Sequence, residues 1–449
     1  MPNLPQLPVE LLNSLHGLPG FDATAFVEAH REENRITSLR LNPFKPAELD
    51  FDLGQAVPWC SAGRFLEARP YFTHDPLFHA GCYYVQEAGS MFIDYALRQC
   101  VDFSKPLKVL DACAAPGGKS TLLSSLLNEN SLLVANEVVK NRAEVLAMNL
   151  SKWGVSHAVV TNQEPKKLAE AGALFDVLVV DAPCSGSGLF RKQPEAIEEW
   201  SLQAVQACSV RQKNILTDLL PTLKEGGIMV YSTCSYSVEE NEAVVDELIN
   251  SGEMELVQFE IPAALGLVDS GKGFRFYPHL TKSEGFFCAV LQKTGSEESL
   301  QRPRKTTGDL MATKAEQVVW KNWIQEEVPI VMKKNERFYG MNELVFEWVS
   351  RFEKQFYLKK AGVCLGEIKG KDVVPDQELA WSVHLNKDVA GLELDKESAL
   401  LYLKKEKFNY QGTVPGFGLM RYKERGLGWA KLLPNRVNNY YPQEYRILK

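Results

Sequence analysis

The chain has 449 residues, of which 45% are hydrophobic and 24% charged, the balance of a globular protein with more than one domain. It contains no stretch of about 18 consecutive apolar residues, so the sequence predicts no membrane span. The nine cysteines include no Cys-x-x-Cys pair, so we expect no metal site, and their odd number fits a reducing compartment.

Charge is unevenly distributed along the chain. Residues 401–449 contain ten Lys or Arg residues and three Glu residues, a formal charge of +7, whereas the whole chain carries −7. The negative net charge excludes a protein that coats nucleic acid by charge alone. A basic end on an acidic body instead predicts one face that binds a polyanion, with a merely solvated surface as the alternative. Because no membrane span or secretory signal is recognisable, we expect a cytoplasmic protein.

Residues 1–85 are predicted to form a small α/β domain. Apolar residues recur at helical spacing over Val9–His16 and Phe21–His30, and hydrophobic and polar residues alternate over Thr37–Asn42. Another helix is predicted over Met91–Cys100, at the start of the next domain.

Residues 86–293 are expected to form the central domain. Within it, residues 107–293 repeat strand, turn and helix, which predicts a parallel sheet with helices on both faces. Near-continuous apolar character is typical of strands that are buried on both faces. The predicted strands are Lys108–Ala112, Leu132–Asn136, Ala158–Thr161, Val177–Asp181 and Ile228–Ser232. A late strand within Glu284–Gln292 is expected to close one edge of the sheet.

The C-terminal third is divided by its composition. Residues 294–312 are polar and poor in apolar side chains, so they are predicted to be a linker. Residues 313–370 mix helical and strand-like patterns and are interpreted as an intermediate domain. Residues 371–449 show short strands separated by glycine-containing turns and are interpreted as a final domain.

A glycine-bearing turn follows the first predicted strand of the parallel sheet, in the sequence Asp111-Ala-Cys-Ala-Ala-Pro-Gly-Gly-Lys-Ser120. Glycine permits unusual backbone torsions and close approach by a ligand. The turn has two interpretations, a phosphate-binding P-loop or a site for a nucleoside with an amino-acid tail. The P-loop pattern requires glycine at the position of Cys113, which favours the nucleoside. Glu137, after the next strand, is placed to accept hydrogen bonds from ribose hydroxyls.

Two cysteines follow the ends of two later strands. Cys184 lies in Asp181-Ala-Pro-Cys-Ser-Gly-Ser-Gly188, and Cys234 lies in Ser232-Thr-Cys-Ser235. Ligands bind at the edge where parallel strands end, so both thiols are expected beside the glycine turn. A lone buried cysteine is usually a small hydrophobic residue, but two at this edge indicate a nucleophile, with a disulfide switch as the alternative.

These segments resemble the Sun-type RNA (cytosine-5) methyltransferases, which depend on S-adenosylmethionine. The resemblance covers roughly residues 35–293 and is carried by the glycine turn, the two cysteine motifs, Glu240-Asn241 and Tyr277-Pro-His279. Residues 416–442 also resemble the PUA-like RNA-binding end of the bacterial RsmF subgroup, which methylates small-subunit ribosomal RNA. The resemblance implies an α/β protein: a Rossmann-like class I methyltransferase domain between a small N-terminal α/β domain and a C-terminal PUA-like domain.

The resemblance also implies roles for individual residues. Cys234 is expected to be the nucleophile, Cys184 to assist its release, and Asp181 to hydrogen-bond the edge of the cytosine ring. The family usually has Asp after the third strand, where this chain offers Asn162 or Glu164, and Glu164 is preferred. The expected S-adenosylmethionine pocket comprises Cys113, Ala114, Ala115, Pro116, Gly117, Gly118, Lys119, Glu137, Glu164 and Asp181.

Five basic residues are candidates for RNA contacts, namely Arg191, Lys192, Lys423, Arg425 and Lys431. The expected partner is 16S ribosomal RNA or the 30S subunit, bound by a monomer, with transfer RNA as the rival substrate. Two alternatives from other classes stay open. One is a nucleotide hydrolase that uses Gly118-Lys119-Ser120, and the other is an RNA-binding assembly factor with a dead methyltransferase fold, which would need neither cysteine.

Overall fold

A computed structural model describes the chain over seven ranges, which are 6–31, 36–295, 310–325, 328–370, 372–408, 416–434 and 436–448. Most of the predicted linker over 294–312 lies outside the described residues. Within these ranges no helix has the length and apolar character needed to cross a membrane.

The N-terminal unit combines short helices with a four-stranded antiparallel sheet of order β2-β3-β1-β4. Its elements are α1 (Val9–Leu15), α2 (Ala23–Arg31), β1 (Thr37–Leu41), β2 (Ala56–Val57), β3 (Cys60–Leu66), α3 (Pro76–His79) and β4 (Tyr83–Val85). The two helices and the strand predicted in this region are confirmed, with boundaries that differ by one or two residues.

The central unit is built around one large sheet. Its elements are α4 (Phe92–Arg98), β5 (Lys108–Asp111), α5 (Gly118–Leu126), β6 (Leu132–Asn136), α6 (Lys140–Trp153), β7 (Ala158–Thr161), α7 (Pro165–Leu168), β8 (Phe175–Asp181), α8 (Ala196–Glu199), α9 (Leu202–Leu219), β9 (Leu223–Thr233), α10 (Glu242–Asn250), β10 (Met254–Leu256), β11 (Val268–Asp269), β12 (Phe274–Phe276) and β13 (Phe286–Lys293).

Five parallel strands form the middle of this sheet, in the order β7-β6-β5-β8-β9. Successive residues of a strand point to opposite faces, so Val109 and Leu133 enter one core while Leu110 and Val134 enter another. The predicted parallel sheet with two covered faces is therefore confirmed. The late strand β13 was expected at an edge, and that expectation is wrong. It lies antiparallel between β9 and β12, because β12 and β11 extend the sheet beyond it.

The C-terminal part adds two four-stranded sheets, β14-β15-β17-β18 and β19-β20-β21-β22. Its elements are α11 (Lys314–Trp320), β14 (Ile330–Lys334), β15 (Arg337–Met341), α12 (Glu343–Phe352), β16 (Leu358–Ala361), β17 (Val363–Lys369), β18 (Asp372–Pro375), α13 (Gln377–Trp381), β19 (Gly391–Glu393), α14 (Lys396–Lys404), β20 (Gly416–Tyr422), β21 (Arg425–Leu433) and β22 (Arg436–Asn439).

Both additional sheets are tied to the rest of the protein. β16 pairs antiparallel with β7 and so extends the central sheet, and Met341 and Trp348 enter one of its two cores. The last sheet packs against the N-terminal unit, because Tyr402 and Met420 share an apolar core with Leu39. The sheet of the N-terminal unit and the last sheet of the chain are therefore packed against each other.

Candidate active site

The site lies where the strand order of the central sheet reverses, between β5 and β8. Asp111 ends β5, and Asp181 ends the neighbouring strand β8. Cys234 follows the last residue of β9, the next strand along. Such a reversal leaves a crevice outside the carboxyl ends of the strands, which is the usual ligand site of open α/β sheets.

The glycine turn is held from several sides. Gly117 has φ +114°, a left-handed conformation that favours glycine, and it caps the N-terminus of α5. From α6, Arg142 donates to the carbonyl of Ala115 at 2.8 Å. From β1, the buried guanidinium of Arg40 donates to the carbonyl of Gly118 at 3.2 Å and to the hydroxyl of Thr121 at 2.6 Å. The N-terminal unit thus takes part in shaping the turn.

A cavity of about 170 Å³ lies against this turn. It is lined by Tyr84, Val85, Gln86, Glu87, Ser90, Cys113, Ala114, Ala115, Pro116, Gly118, Lys119 and Asp181. The structure thereby brings together most of the residues predicted to hold the cofactor. Residues 84–90, which the sequence did not indicate, form the opposite wall, and they precede α4.

Three predicted cofactor residues do not line this cavity. Gly117 lies in the turn next to α6, and a Cβ atom added there would be 3.3 Å from the side chain of Leu146. Glu137 is buried, and its carboxylate accepts from the N–H of Val139 at 2.9 Å. Glu164 is exposed at the start of α7. Its rival Asn162 donates to the carbonyl of Glu137 at 2.6 Å, which ties the ends of β6 and β7 together.

Carboxylates dominate the charge around the turn. Asp111 is fully buried, and burial raises its pKa to about 7. The hydroxyl of Ser120 donates to one oxygen of Asp111 at 2.6 Å, while the other oxygen, Oδ1, has no hydrogen-bond partner among the described residues. Lys119, the cation of the turn, is neutralised by Asp181 at 2.6 Å. This arrangement would repel a polyphosphate, and it suits a ligand that carries hydrogen-bond donors and positive charge, as S-adenosylmethionine does.

Asp181 stands between the cavity and the cysteines. One of its oxygens accepts from Lys119, and the other accepts from the hydroxyl of Ser232 at 2.8 Å. The side chain is 30% exposed, so lone pairs of the carboxylate remain available to a ligand. The predicted position of Asp181 at the substrate side of the site is therefore geometrically feasible.

The two predicted thiols face each other, with Cys184 Sγ 2.8 Å from Cys234 Sγ. The hydrogen bond to Cys234, burial and the nearby charge of Glu240 raise the pKa of Cys184 well above its usual range. Either sulfur can donate in this contact, and the raised pKa favours the thiol form of Cys184. The charge of Lys119 acts on Cys234, a cation that the sequence alone did not assign to the thiol.

A buried carboxylate beneath the thiols was missed as a functional residue. Glu240 accepts hydrogen bonds from both Ser185 and Ser235, the residues that directly follow Cys184 and Cys234. The repeated Cys-Ser dipeptide and the Glu240-Asn241 motif were visible in the sequence. The hydrogen bonding of both serines to Glu240 depends on how the two loops pack, so it could not be predicted from the sequence.

The five basic residues predicted to bind RNA lie in different environments. Lys192 is exposed, whereas the side chain of Arg191 is 6% exposed and donates to the carbonyl of Ser283 at 3.3 Å. Lys423 pairs with Asp50, and Arg425 donates to the carbonyl of Pro46, so both join the C-terminal sheet to the N-terminal unit. Lys431 lies half-buried over the ring of Phe417. Lys192 is thus the member of the set most open to a ligand.

Three family models match the chain. Residues 100–292 match the model of 16S rRNA methyltransferase RsmB/F, residues 7–88 match the N-terminal domain of 16S rRNA methyltransferase RsmF, and residues 390–447 match the RsmF PUA domain. The matches follow the same order along the chain as the three units of the predicted architecture.

Curated relatives and solved structures agree with these models. Ribosomal RNA small subunit methyltransferase F of Aeromonas hydrophila is 30% identical over 408 residues, which cover 86% of this chain and 84% of that protein. Its namesake from Escherichia coli O9:H4 is 28% identical over 447 residues, covering 91% and 89%. A methyltransferase homologue from Pyrococcus horikoshii superimposes with a TM-score of 0.52 at 29% identity, covering 64% of this chain and all of that one. NSun6 from the same organism, solved with SFG, has a TM-score of 0.54 at 22% identity, covers 64% and 99%, and shows the shared fold. This chain belongs to the RsmF family of 16S ribosomal RNA methyltransferases.

Proposed function

We propose that this protein transfers a methyl group from S-adenosylmethionine to carbon 5 of a cytosine in 16S ribosomal RNA. The observation that carries the proposal is the pair of thiols, Cys184 and Cys234, which lie 2.8 Å apart at the sheet edge that also holds the cofactor cavity. Membership of the RsmF family supports ribosomal RNA as the substrate. A binding protein without catalysis would have no need for a paired thiol beside a lysine.

The glycine turn and Asp181, which line the cavity, would hold the cofactor, and Glu137 would reach it from the end of the next strand. The unpaired oxygen of the buried Asp111 would accept from one of the cofactor's donors. When bound, S-adenosylmethionine supplies an electrophilic methyl group on a sulfonium. We assign the ribose hydroxyls to Glu137 and the adenosine to Glu164, from their places after neighbouring strands of the same edge.

Cys234 supplies the nucleophile. Carbon 5 of cytosine is electron-poor until a thiolate adds to carbon 6, which forms an S–C6 bond and moves the π electron pair of the C5–C6 bond onto carbon 5. The ammonium group of Lys119 interacts electrostatically with the sulfur of Cys234. Asp181 accepts a hydrogen bond from the cytosine amino group and orients the ring.

Cys184 supplies the base for release. In the free protein, the hydrogen bond to Cys234 is the largest reason that the pKa of Cys184 is raised. Bonding of Cys234 to carbon 6 makes its sulfur an uncharged thioether and removes that cause. Cys184 then loses its proton to water, and its thiolate takes the proton from carbon 5. The electron pair left by that proton re-forms the C5–C6 double bond and expels the Cys234 thiolate.

The target base must leave its stack to reach the two thiols, at a cost of a few kcal/mol. We propose that the assembled 30S subunit presents this base, since fixed RNA shape suits a protein with a negative net charge. We further propose that the protein acts as a monomer in the cytoplasm.

The proposal is tested by methyl transfer from tritiated S-adenosylmethionine to unmodified 30S subunits and, separately, to unmodified transfer RNA. We expect 5-methylcytidine in the 30S reaction and none after Cys234→Ala. Methylation of transfer RNA alone would mean that transfer RNA, and not 16S ribosomal RNA, is the substrate. Labelled product from Cys234→Ala would mean that Cys234 is not the nucleophile.

Cys184→Ala separates the two thiol roles. Loss of a general base slows its step by about 10² to 10⁴-fold, so the adduct should form and persist. We expect a protein–RNA species that survives a denaturing gel and contains the tritium label. Normal turnover without a trapped species would mean that another group removes the proton.

A further inference from the structure

Glu240 is a fully buried carboxylate that neither the cofactor cavity nor the thiol chemistry requires directly. Four donors converge on it. Ser185 contributes its N–H at 2.7 Å and its hydroxyl at 2.6 Å. Ser235 contributes its hydroxyl at 2.6 Å, and the amide of Gln212 donates at 3.3 Å.

The four donors match the acceptor capacity of an ionised carboxylate, which has about four lone-pair sites and no proton to donate. A glutamine at this position would replace one acceptor oxygen by an amide N–H₂ that faces donors. The site therefore requires a carboxylate, although no cation neutralises Glu240 among the groups that contact it. A buried charge held without a counter-ion is costly, which indicates that it serves the two loops it joins.

The loops joined by Glu240 are those that carry the thiols. Ser185 belongs to the loop after β8 and Ser235 to the loop after β9. Two further hydrogen bonds join the same loops farther along, from the N–H of Gly188 to the carbonyl of Cys234 at 2.8 Å and from the N–H of Tyr236 to the hydroxyl of Ser187 at 3.0 Å. Among the described residues, no other side chain bonds to both serines at normal hydrogen-bond length, and their hydroxyls lie 3.4 Å apart.

We propose that Glu240 is a positioning residue for the methyl-transfer reaction: it clamps Ser185 and Ser235 so that Cys184 and Cys234 keep their relative position throughout the cycle. This inference rests on the proposed function for its consequence, but the clamp itself is a property of the free protein. Adduct release depends on Cys184 reaching the proton on carbon 5, and the clamp fixes where that sulfur lies relative to the base bonded to Cys234.

The clamp is tested first without RNA or cofactor. Phenylarsine oxide condenses with two neighbouring thiols, forming two As–S bonds and one water. We expect rapid bridging of Cys184 to Cys234 in the wild type, identified by peptide mass mapping, and bridging at least about tenfold slower in Glu240→Gln. Alkylation of Cys100, a partly exposed free thiol just after α4 and outside both thiol loops, by iodoacetamide serves as the internal reference.

The second test measures turnover on 30S subunits. Displacement of a catalytic group by about 1 Å costs about 100-fold in rate, so kcat of Glu240→Gln should fall by about that factor while KM for RNA and for S-adenosylmethionine stays the same. The Cys234–RNA adduct should accumulate, because attack needs one thiol and release needs both.

Glu239→Gln is the matched control, since Glu239 is the same residue type one position earlier and no described hydrogen bond involves its side chain. It should behave as the wild type in both tests. Ser185→Ala and Ser235→Ala each remove one hydroxyl of the clamp, should give intermediate effects, and should add nothing to Glu240→Gln if the three residues act as a unit. These serine variants decide the question should Glu240→Gln fail to fold, as judged from its melting curve.

The outcomes separate the clamp from the function. Slower thiol bridging together with a lower kcat supports the proposal, and unchanged bridging in Glu240→Gln overturns it. Slower bridging with wild-type kcat also overturns it, because the thiols would then not need to be held. If bridging of the two thiols by phenylarsine oxide depends on Glu240 but the wild type does not methylate RNA, the positioning role of Glu240 is supported and the proposed function is wrong.

Discussion

The Asp111→Asn substitution is expected to stabilise the fold increasingly as the pH rises from 5 to 8. Asp111 is fully buried beneath the cofactor turn, accepts one hydrogen bond from Ser120, and has one oxygen without a partner in the described structure. Burial raises its pKa to about 7, against about 3.9 for an unfolded aspartate. The folded protein therefore keeps a proton that the unfolded chain releases.

The direction of the pH effect follows from linkage. Between about pH 4 and pH 7 the folded state binds more protons at this site, so the free energy of unfolding falls as the pH rises, and above about pH 7 it levels off. At about 1.36 kcal/mol per pH unit, the ionised Asp111 costs the ligand-free fold up to about 4 kcal/mol at pH 8. An asparagine avoids this cost but leaves an unpaired buried N–H, a penalty of about 1–3 kcal/mol. At pH 5 the carboxyl costs only about 1.5 kcal/mol, similar to the asparagine penalty, so Asp111→Asn should change the free energy of unfolding little there and raise it at pH 8.

The assay measures the melting temperatures of the ligand-free wild type and of Asp111→Asn from pH 5 to pH 8. The contributions of the other titrating groups cancel in the difference between the two melting temperatures at each pH. Calorimetric titration with S-adenosylmethionine should show weaker binding to the variant at pH 8, because the carboxylate offered to the ligand is gone. A melting-temperature difference that stays constant over this pH range would refute the reasoning, and unchanged affinity would remove Asp111 from the cofactor site.

Two further substitutions probe the charges of the central unit. Lys119→Met removes the cation that acts on Cys234, so alkylation of this thiol by iodoacetamide at pH 7 should slow by about tenfold or more, with peptide mapping as the readout and Lys119→Arg as the control. Arg275→Met strands the buried carboxylate of Glu242, which accepts from Arg275 Nε at 2.6 Å, and should lower the free energy of unfolding by about 3–5 kcal/mol. A loss of less than about 1 kcal/mol in denaturant titration would contradict this account.

The parallel strands could be predicted from sequence because each is a short apolar run bounded by turn residues. β6 and β7 begin and end at the predicted residues, and β5 ends one residue early. The short pair β11 and β12 could not be predicted, since two or three residues carry too little pattern. The pairing of β16 with β7 also escaped, because it joins segments about 200 residues apart, a relation that local periodicity does not contain.

The candidate site shows the same division. The glycine turn and the two cysteines could be predicted from the sequence, because each follows a strand and the carboxyl ends of parallel strands meet at one edge of the sheet. The wall formed by residues 84–90 comes from outside the central sheet, and Glu240 acts on Ser185 from 55 positions away. Such contacts depend on how loops pack, so the motif around Glu240 was visible while its role was not.

The basic C-terminal segment illustrates why charge counting alone does not locate an RNA surface. Lys423 bonds to Asp50, and the partly exposed pair lowers the pKa of that carboxyl to about 2. Arg425 donates to the carbonyl of Pro46, so both residues also hold the C-terminal sheet against the N-terminal unit. Replacing either would loosen this junction as well as remove a charge, and weaker RNA binding by such a variant would not identify a phosphate contact. Lys192 is exposed, so the salt dependence of RNA binding by Lys192→Ala gives the clearer measure of a direct contact.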